Sequence, residues 1–180
     1  GDDNLLWQTA VRIAGDLQRP MPAIELQLDN QIPLGKGLGS SAAALTAGVV
    51  IASSMLGLRW PRGRVLDEAA RIEGHPDNVA ACVHGSIVAS ATDASDVTPA
   101  ARLELHPRFG IAVVVPDFLL PTVEARRVLP KSYSRADVIF NIQRSALLIT
   151  ALATGTTDAF PTALEDRLHQ PYRAALIPGL

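Results

Sequence analysis

The sequence has 180 residues, of which 48% are hydrophobic and 19% charged, a composition typical of a soluble globular protein with a substantial core. The formal net charge of −2 gives no signal for polyanion binding and argues against a nucleic-acid partner. The single cysteine, Cys82, excludes an internal disulfide framework and favours a reducing cytoplasm. We expect no signal peptide, no bilayer-spanning segment, no membrane partner, and a core position for Cys82.

A helix and a strand are predicted first. Apolar side chains recur with a helical period over residues 4–18, and Asn4 is suited to cap that helix. Residues 23–29 alternate between apolar and polar side chains, which predicts a strand with one solvated face. The chain then enters a loop that carries glycines at alternate positions, namely Gly35, Gly37 and Gly39.

This glycine loop, residues 32–44, leads into an alanine- and leucine-rich helix predicted at residues 42–58, for which Ser40 or Ser41 is a suitable N-cap. Glycine permits close approach of a ligand, and a helix N-terminus presents unpaired N–H groups and the positive end of the helix dipole. We therefore expect an anion site for a nucleotide phosphate. A flexible turn that merely begins a core helix is the alternative. The glycine spacing matches neither a Walker A loop nor Gly-x-Gly-x-x-Gly.

The rest of the chain is predicted to mix helices and strands. Helices are expected at residues 61–73, 122–129 and 134–154, with a further helix after residue 157. Residues 74–78, Gly-His-Pro-Asp-Asn, are expected to form a turn. Strands are expected at residues 86–91, 102–106 and 111–115, the last of them buried, and the polar residues 92–101 are expected to form an exposed hairpin or a boundary between lobes.

Phosphoryl transfer requires held phosphates, a magnesium ion, an oriented hydroxyl and cations near the developing charge. Because Mg²⁺ prefers oxygen ligands and keeps several waters, a loop serine and one carboxylate would suffice to hold it. Glu68 and Glu73 lie five residues apart on one predicted helix, so only one of them can face the phosphates. Two ordinary surface glutamates are the alternative interpretation.

Several motifs together resemble one enzyme family. The Gly-x-Gly-x-Gly-Ser-Ser pattern of residues 35–41 resembles the phosphate loop of the GHMP small-molecule kinases. Residues 73–80, Glu-Gly-His-Pro-Asp-Asn-Val-Ala, are similar to a signature of bacterial homoserine kinases, a branch of that superfamily. Residues 122–130 and 166–173, the latter followed by Ile-Pro-Gly at 177–179, are similar to two further motifs of that branch. The resemblance covers essentially the whole chain.

The resemblance implies ATP-dependent phosphorylation of the L-homoserine hydroxyl, giving O-phospho-L-homoserine for threonine synthesis. It implies an α+β fold, with an N-terminal lobe like the second domain of ribosomal protein S5 over residues 1–100. The start of a ferredoxin-like lobe is expected over residues 101–180. A kinase acting on mevalonate, a diphosphocytidyl alcohol or a sugar stays open, as does a non-catalytic nucleotide-binding relative. Whether the protein forms a homodimer also stays open.

The resemblance further assigns the ATP and magnesium sites. Ser41 and Glu68 are expected to bind Mg²⁺, with Glu73 as the second choice, and Lys36 is expected to play only an auxiliary part. The residues expected to hold the ATP phosphates are Pro33, Leu34, Gly35, Lys36, Gly37, Leu38, Gly39, Ser40, Ser41, Ala42 and Ala43.

Three residues are implied to bind homoserine: Asn78, which with Ser41 and Glu68 completes the expected catalytic set, and Arg126 and Arg173. The planar guanidinium of arginine pairs bidentately with a carboxylate. Solvated surface arginines are the alternative. His75 is expected to fix a turn by hydrogen bonding, and Asp77 is expected to position neighbours, because the homoserine branch is thought to lack a dedicated base and to pass the hydroxyl proton to the phosphate.

Two family motifs are not found in this sequence: an N-terminal segment like Asn-Leu-Gly-Pro-Gly-Phe-Asp and a C-terminal glycine motif like Gly-Ser-Gly-Pro-Thr. We therefore expect the chain to be an internal fragment that is weakly stable or inactive by itself.

Overall fold

A computed structural model of the chain describes residues 3–115, 118 and 122–176. The chain divides into two compact units, one comprising Gly1–Leu34 with Leu38–Leu103 and the other Gly35–Gly37 with Glu104–Leu180. The expected domain division into residues 1–100 and 101–180 stays a prediction about the full-length protein. Residues 177–179, the end of the last motif, lie outside the described residues.

The first unit contains four helices and one hairpin in its described part. The helices are α1 (Leu5–Asp16), α2 (Ser40–Met55), α3 (Arg62–Glu73) and α4 (Asp77–His84). The strands β1 (Ile87–Ser90) and β2 (Ala100–Leu103) pair antiparallel, with Ile87 opposite Leu103. The predictions of a strand at 86–91 and of a hairpin after it are confirmed, and the combination of helices with a sheet confirms the α+β class.

Helix α1 begins where the sequence predicted. The side-chain oxygen of Asn4 accepts hydrogen bonds from the N–H groups of Leu6 and Trp7, at 3.0 and 3.4 Å. The buried face of α1 packs on α2, and Gly48 of α2 lies against α1 at Leu6 and Thr9. A Cβ added at Gly48 would overlap the carbonyl oxygen of Leu6 and would lie 2.6 Å from Cβ of Thr9. Glycine is therefore required at this crossing.

The core of the first unit is built from small and aliphatic side chains of its helices. Its buried members are Ala10, Ile13, Ala42, Leu45, Val49, Ala52, Val65, Leu66, Ala69, Ala70, Val79 and Ala80. Helix α4 supplies two of them, Val79 and Ala80. The helix begins at Asp77, so the turn expected over residues 74–78 is wrong at its last two residues, because the buried face of α4 packs against the other helices. Cys82 is exposed, so the prediction of a core position for it is also wrong.

Two predicted strands do not form. Residues 23–29 and 111–115 have no regular secondary structure, and Val114 is 90% exposed, whereas a buried strand was expected there. Both predictions are wrong for the chain as described. A strand is stabilised by hydrogen bonds to a neighbouring strand, and alternating or apolar sequence by itself provides no such neighbour.

The second unit is helical in its described part. It contains α5 (Thr122–Arg127), α6 (Arg135–Thr154), α7 (Phe160–Ala163) and α8 (Gln170–Arg173), with 3₁₀ turns at Thr157–Ala159 and Ala174–Leu176. The predictions for α5 and α6 are confirmed. Ser134 caps α6 by accepting a hydrogen bond from the N–H of Asp137 at 3.1 Å, and Gly155 ends the helix with φ of 74°.

Helix α6 corrects one expectation. This 20-residue helix contains an 18-residue window with a mean hydropathy of 1.3, so by length and composition it could cross a bilayer, contrary to the prediction that no segment could. The core helix of a soluble protein passes the same test. The middle of α6 carries Arg144, whose guanidinium forms a 2.6 Å ion pair with Glu165.

Candidate functional site

The glycine loop has an unusual backbone. Gly35, Gly37 and Gly39 have φ values of 67°, 72° and 75°, which is the left-handed region that other residues seldom adopt. A Cβ added at Gly37 or Gly39 would meet no other atom within 4 Å. Backbone conformation, and not lack of space, therefore requires glycine at these two positions.

The first turn of α2 offers unpaired backbone donors. Gly39 occupies the N-cap position, so the prediction of a serine N-cap is wrong, and the first helical hydrogen bond runs from the N–H of Ala43 to the carbonyl of Gly39 at 2.9 Å. No described residue accepts a hydrogen bond from the N–H groups of Ser40, Ser41 or Ala42. Three free donors at the positive end of a 16-residue helix fit a phosphate group. The hydroxyl of Ser41 belongs to an exposed residue of this turn.

Lys36 has a partner within the second unit. Its Nζ donates a hydrogen bond to the carbonyl oxygen of Phe118 at 2.9 Å. The ammonium group of Lys36 thus donates to a carbonyl group of the protein. An auxiliary part for this lysine in phosphate binding stays a prediction.

Glu68 lies in a network of ion pairs. The residue is 4% exposed, and its carboxylate accepts hydrogen bonds from Nη2 of Arg64 at 3.1 Å and from Nε and Nη2 of Arg71. Arg71 also donates to Asp16 at the end of α1, at 2.9 Å. The hydrogen bonds that Arg71 donates to Glu68 and Asp16 outweigh partial burial and raise the pKa of Arg71 above its usual range. The carboxylate of Glu68 is thus already neutralised by two guanidinium groups.

Glu73 has a different environment. It is the last residue of α3 and is half-buried, and the part of the chain that the structure describes gives its carboxylate no hydrogen bond or ion pair. Its charge acts on α4, where partial desolvation of the thiol and then the negative charge of Glu73 raise the pKa of Cys82, although the residue as a whole is exposed. Among the described residues, no group of three or more His, Cys, Asp or Glu side chains could by itself hold a metal ion. A metal here would therefore need ligands from a bound phosphate and water.

The turn between α3 and α4 is organised by Asp77. Its Oδ1 accepts a hydrogen bond from the N–H of Asn78 at 2.7 Å and lies 2.8 Å from Nδ1 of His75. The expectation that His75 hydrogen bonds within the turn is confirmed. Asn78 follows in the first turn of α4 and is exposed. A carboxylate engaged with two neighbours is suited to positioning Asn78.

In the second unit, one hydrogen bond connects the two segments that carry the predicted substrate arginines. Arg126 is exposed near the end of α5, and Arg173 is the last residue of α8. Nε of Arg173 donates to the carbonyl oxygen of Ala125, the residue before Arg126, at 3.1 Å. Sequence spacing could not reveal this contact, because 48 residues separate its partners.

Known proteins match the chain over almost all of its length. Residues 4–86 match the family described as the GHMP kinases N terminal domain. The chain is 66% identical to a homoserine kinase of Solibacter usitatus, covering 99% of this chain and 59% of that protein. It is 43% identical to a homoserine kinase of a Synechococcus strain, covering 98% of this chain and 58% of that protein.

A solved structure shares the fold. The crystal structure of a homoserine kinase from Cytophaga hutchinsonii matches with a TM-score of 0.74 at 24% identity, covering 99% of this chain and 57% of that one. The chain therefore spans less than two thirds of the length of these relatives. The resemblance drawn from the sequence motifs is confirmed. Residues 4–86 match the GHMP kinase N-terminal domain family, and nearly the whole chain is similar to homoserine kinases over about three fifths of their length.

Proposed function

We propose that the full-length protein containing this chain transfers the γ-phosphate of ATP to the hydroxyl of L-homoserine, giving O-phospho-L-homoserine. The observation that carries this proposal is the 66% identity, over 99% of the chain, to a protein named homoserine kinase. This product would serve threonine synthesis. The chain itself contains the residues that were expected to bind the phosphate donor, ATP, and the phosphate acceptor, homoserine.

The ATP phosphates would bind at the start of α2. The unpaired N–H groups of Ser40, Ser41 and Ala42 support this assignment, as do the left-handed glycines before them. N–H donors that a helix holds in place need no rearrangement when a phosphate binds. They therefore stabilise the negative charge of the bound phosphate and the charge that develops in the transition state.

Magnesium would be held by the Ser41 hydroxyl and the carboxylate of Glu73, with phosphate oxygens and waters completing its shell. When bound, Mg²⁺ neutralises charge on the transferred phosphate. Glu68 was the first choice for this role on sequence grounds, but Arg64 and Arg71 already occupy its carboxylate. We therefore favour Glu73.

Homoserine would be recognised through its carboxylate by Arg126 and Arg173, with Asn78 as a further substrate ligand. In the reaction, the homoserine oxygen bonds to the γ-phosphorus as the bond from that phosphorus to the bridging oxygen breaks, and ADP leaves. The hydroxyl proton passes to the transferred phosphate. Asp77 takes no part as a base in this proposal, because its Oδ1 already serves His75 and Asn78.

A coupled ADP-release assay on the full-length protein tests the proposal, with homoserine, mevalonate and galactose offered in turn. We expect turnover with homoserine. Turnover with mevalonate or galactose alone would instead identify another small-molecule kinase. Binding of ATP without turnover of any acceptor would identify a nucleotide-binding protein that is not a kinase.

Arg126→Ala and Arg127→Ala provide a matched pair, since both arginines are exposed on α5. We expect Arg126→Ala to raise the KM for homoserine at least tenfold, the loss of about one charged hydrogen bond, with the KM for ATP unchanged. Arg127→Ala should leave both constants within about twofold. Equal effects of the two variants would remove Arg126 from the proposed site.

A further inference from the structure

Asp166 gathers an unusual number of hydrogen bonds in the segment between α7 and α8. Its Oδ1 accepts from the side-chain amide of Asn141 on α6 and from the N–H of Leu168, the latter at 3.1 Å. Its Oδ2 accepts from the N–H of His169 at 2.7 Å and from the N–H of Gln170. One carboxylate thus binds three successive backbone donors and ties them to α6.

The same segment is fixed by further contacts. The Oδ1 of Asn141 accepts from the N–H of Arg167 at 2.9 Å, so one amide group holds both sides of the turn. Nearby, the hydroxyl of Tyr133 donates to the carbonyl of Leu168 at 2.9 Å. The turn therefore has little freedom relative to α6.

The turn determines where Arg173 lies. His169, which donates its N–H to Asp166, accepts through its carbonyl the N–H groups of Tyr172 and Arg173 at 3.2 and 3.1 Å. Arg173 then donates through Nε to Ala125 at 3.1 Å. Hydrogen bonds thus connect Asp166 to His169 and His169 to the backbone N–H of Arg173, whose guanidinium is held in turn by Ala125.

The carboxyl of Asp166 is ionised at neutral pH. Partial burial alone would raise its pKa, but hydrogen bonds from Asn141, Gln170, Leu168 and His169 outweigh burial and lower the pKa to about 2. Hydrogen bonds to an ionised acceptor are stronger than those between neutral groups. The turn is therefore held by charge-assisted bonds under the conditions in which an enzyme would work.

We propose that Asp166 is a positioning residue for Arg173 and, through Arg173, for the carboxylate of the substrate. Asp166 contacts the turn and not the proposed ligand. This inference rests on the proposed function where it concerns homoserine. The placement of Arg173 by Asp166 can be measured without a substrate.

Hydrogen exchange on the full-length protein tests the placement directly, with Asp166→Asn compared with Asp158→Asn, an exposed aspartate of the same unit. An asparagine retains one acceptor oxygen, so half of the donors lose their partner. We expect amide exchange at residues 168–173 to accelerate at least tenfold in Asp166→Asn and to stay unchanged in Asp158→Asn. Unchanged exchange in Asp166→Asn would overturn the inference whatever the protein phosphorylates.

Kinetics test the consequence for the substrate. Asp166→Asn should raise the KM for homoserine about tenfold and leave the KM for ATP within about twofold. In an Arg173→Ala background, the same substitution should change the KM for homoserine less than twofold, because its effect passes through the arginine. A rise of equal size in both backgrounds would show a general structural role and would overturn the inference.

Asn141→Ala keeps the experiment decisive if Asp166→Asn does not fold, since it removes only one of the four donors to Asp166. We expect a smaller rise in the same KM and faster exchange at residues 168–170. A folded Asn141→Ala protein with neither change would contradict the proposal. Absence of homoserine turnover in the parent protein would instead refute the proposed function, and the exchange data would still decide the role of Asp166.

Discussion

Glu68 and Arg71 form an ion pair in which the carboxylate side chain is 5% exposed and the guanidinium side chain 41% exposed. The arginine also reaches Asp16, so this pair connects α3 to the end of α1. Such an arrangement stabilises the folded unit and engages three of the roughly four acceptor positions of the carboxylate with guanidinium groups.

Glu68→Gln and Glu73→Gln should therefore separate stability from activity. We expect Glu68→Gln to lower the free energy of unfolding by about 2 kcal/mol, because two guanidinium groups lose a buried charged acceptor. Glu73→Gln should change it by no more than about 0.5 kcal/mol. Urea unfolding of the full-length protein measures both values.

Activity should respond in the opposite order. Below its unfolding temperature, Glu68→Gln should keep kcat within about threefold of the parent. Glu73→Gln should lower activity at least about tenfold at fixed Mg²⁺ and should recover partly when Mg²⁺ is raised, as expected for a lost ligand. A tenfold loss of activity in Glu68→Gln that raised Mg²⁺ partly restores would instead identify Glu68 as the metal carboxylate.

Gly39→Ala tests the backbone requirement of the phosphate loop. Since φ is 75° and an added Cβ meets nothing within 4 Å, only conformational strain should matter, at about 1 kcal/mol. The KM for ATP should rise as the first turn of α2 distorts. Gly63→Ala is the control: this glycine lies in α3 with open space around it, so alanine should stabilise by about 0.5 kcal/mol. A stabilising Gly39→Ala with unchanged KM would argue against the loop conformation.

Gly48→Ala tests the crossing of α1 and α2. The new methyl group would overlap the carbonyl oxygen of Leu6 and crowd Thr9, so the helices must separate, at a cost of about 2 kcal/mol. Gly15→Ala on α1, where an added Cβ meets nothing within 4 Å, should be neutral or stabilising. Thermal and urea unfolding of the two variants would measure the difference, and similar midpoints would contradict this packing.

Asp166 makes stability depend on pH in a defined direction. Its folded pKa of about 2 lies below the ordinary value of about 3.9, so the ionised carboxylate favours folding. The stability that Asp166→Asn loses should be constant above about pH 5 and should shrink as pH falls toward 2. Unfolding free energies of both proteins at pH 7, 5 and 3.5 measure this trend. A difference that grows on acidification would contradict the assigned contacts.

Much of the helical structure could be predicted from sequence because its causes are local. Asn4 and Ser134 cap their helices, Gly155 ends one, and apolar periodicity marks the buried face of α1. The predictions of strands at residues 23–29 and 111–115 were wrong, since a strand needs a partner that local sequence does not specify. Among the described residues, only β1 and β2 have such a partner strand, and residues 91–99 connect them.

The candidate site shows the same limit. Motifs gave the residues of the glycine loop, but its N-cap is Gly39 and not a serine, because the left-handed glycine already turns the chain into α2. The helical spacing of Arg64, Glu68 and Arg71 could have revealed the ion pairs that occupy Glu68. By contrast, the contact between Arg173 and Ala125 depends on tertiary structure, because its partners are 48 residues apart in the sequence.

The segment of residues 111–115, Ile-Ala-Val-Val-Val, affects the solubility of the protein during handling. Their side chains are uncharged, Ile111 and Val114 are 76% and 90% exposed, and no backbone hydrogen bond of this segment is seen within the described ranges. Neutral β-branched segments with unpaired backbone groups promote intermolecular β-pairing and aggregation. A preparation of this chain by itself should therefore lose soluble material as its concentration rises, and a charged residue at position 114 should reduce that loss.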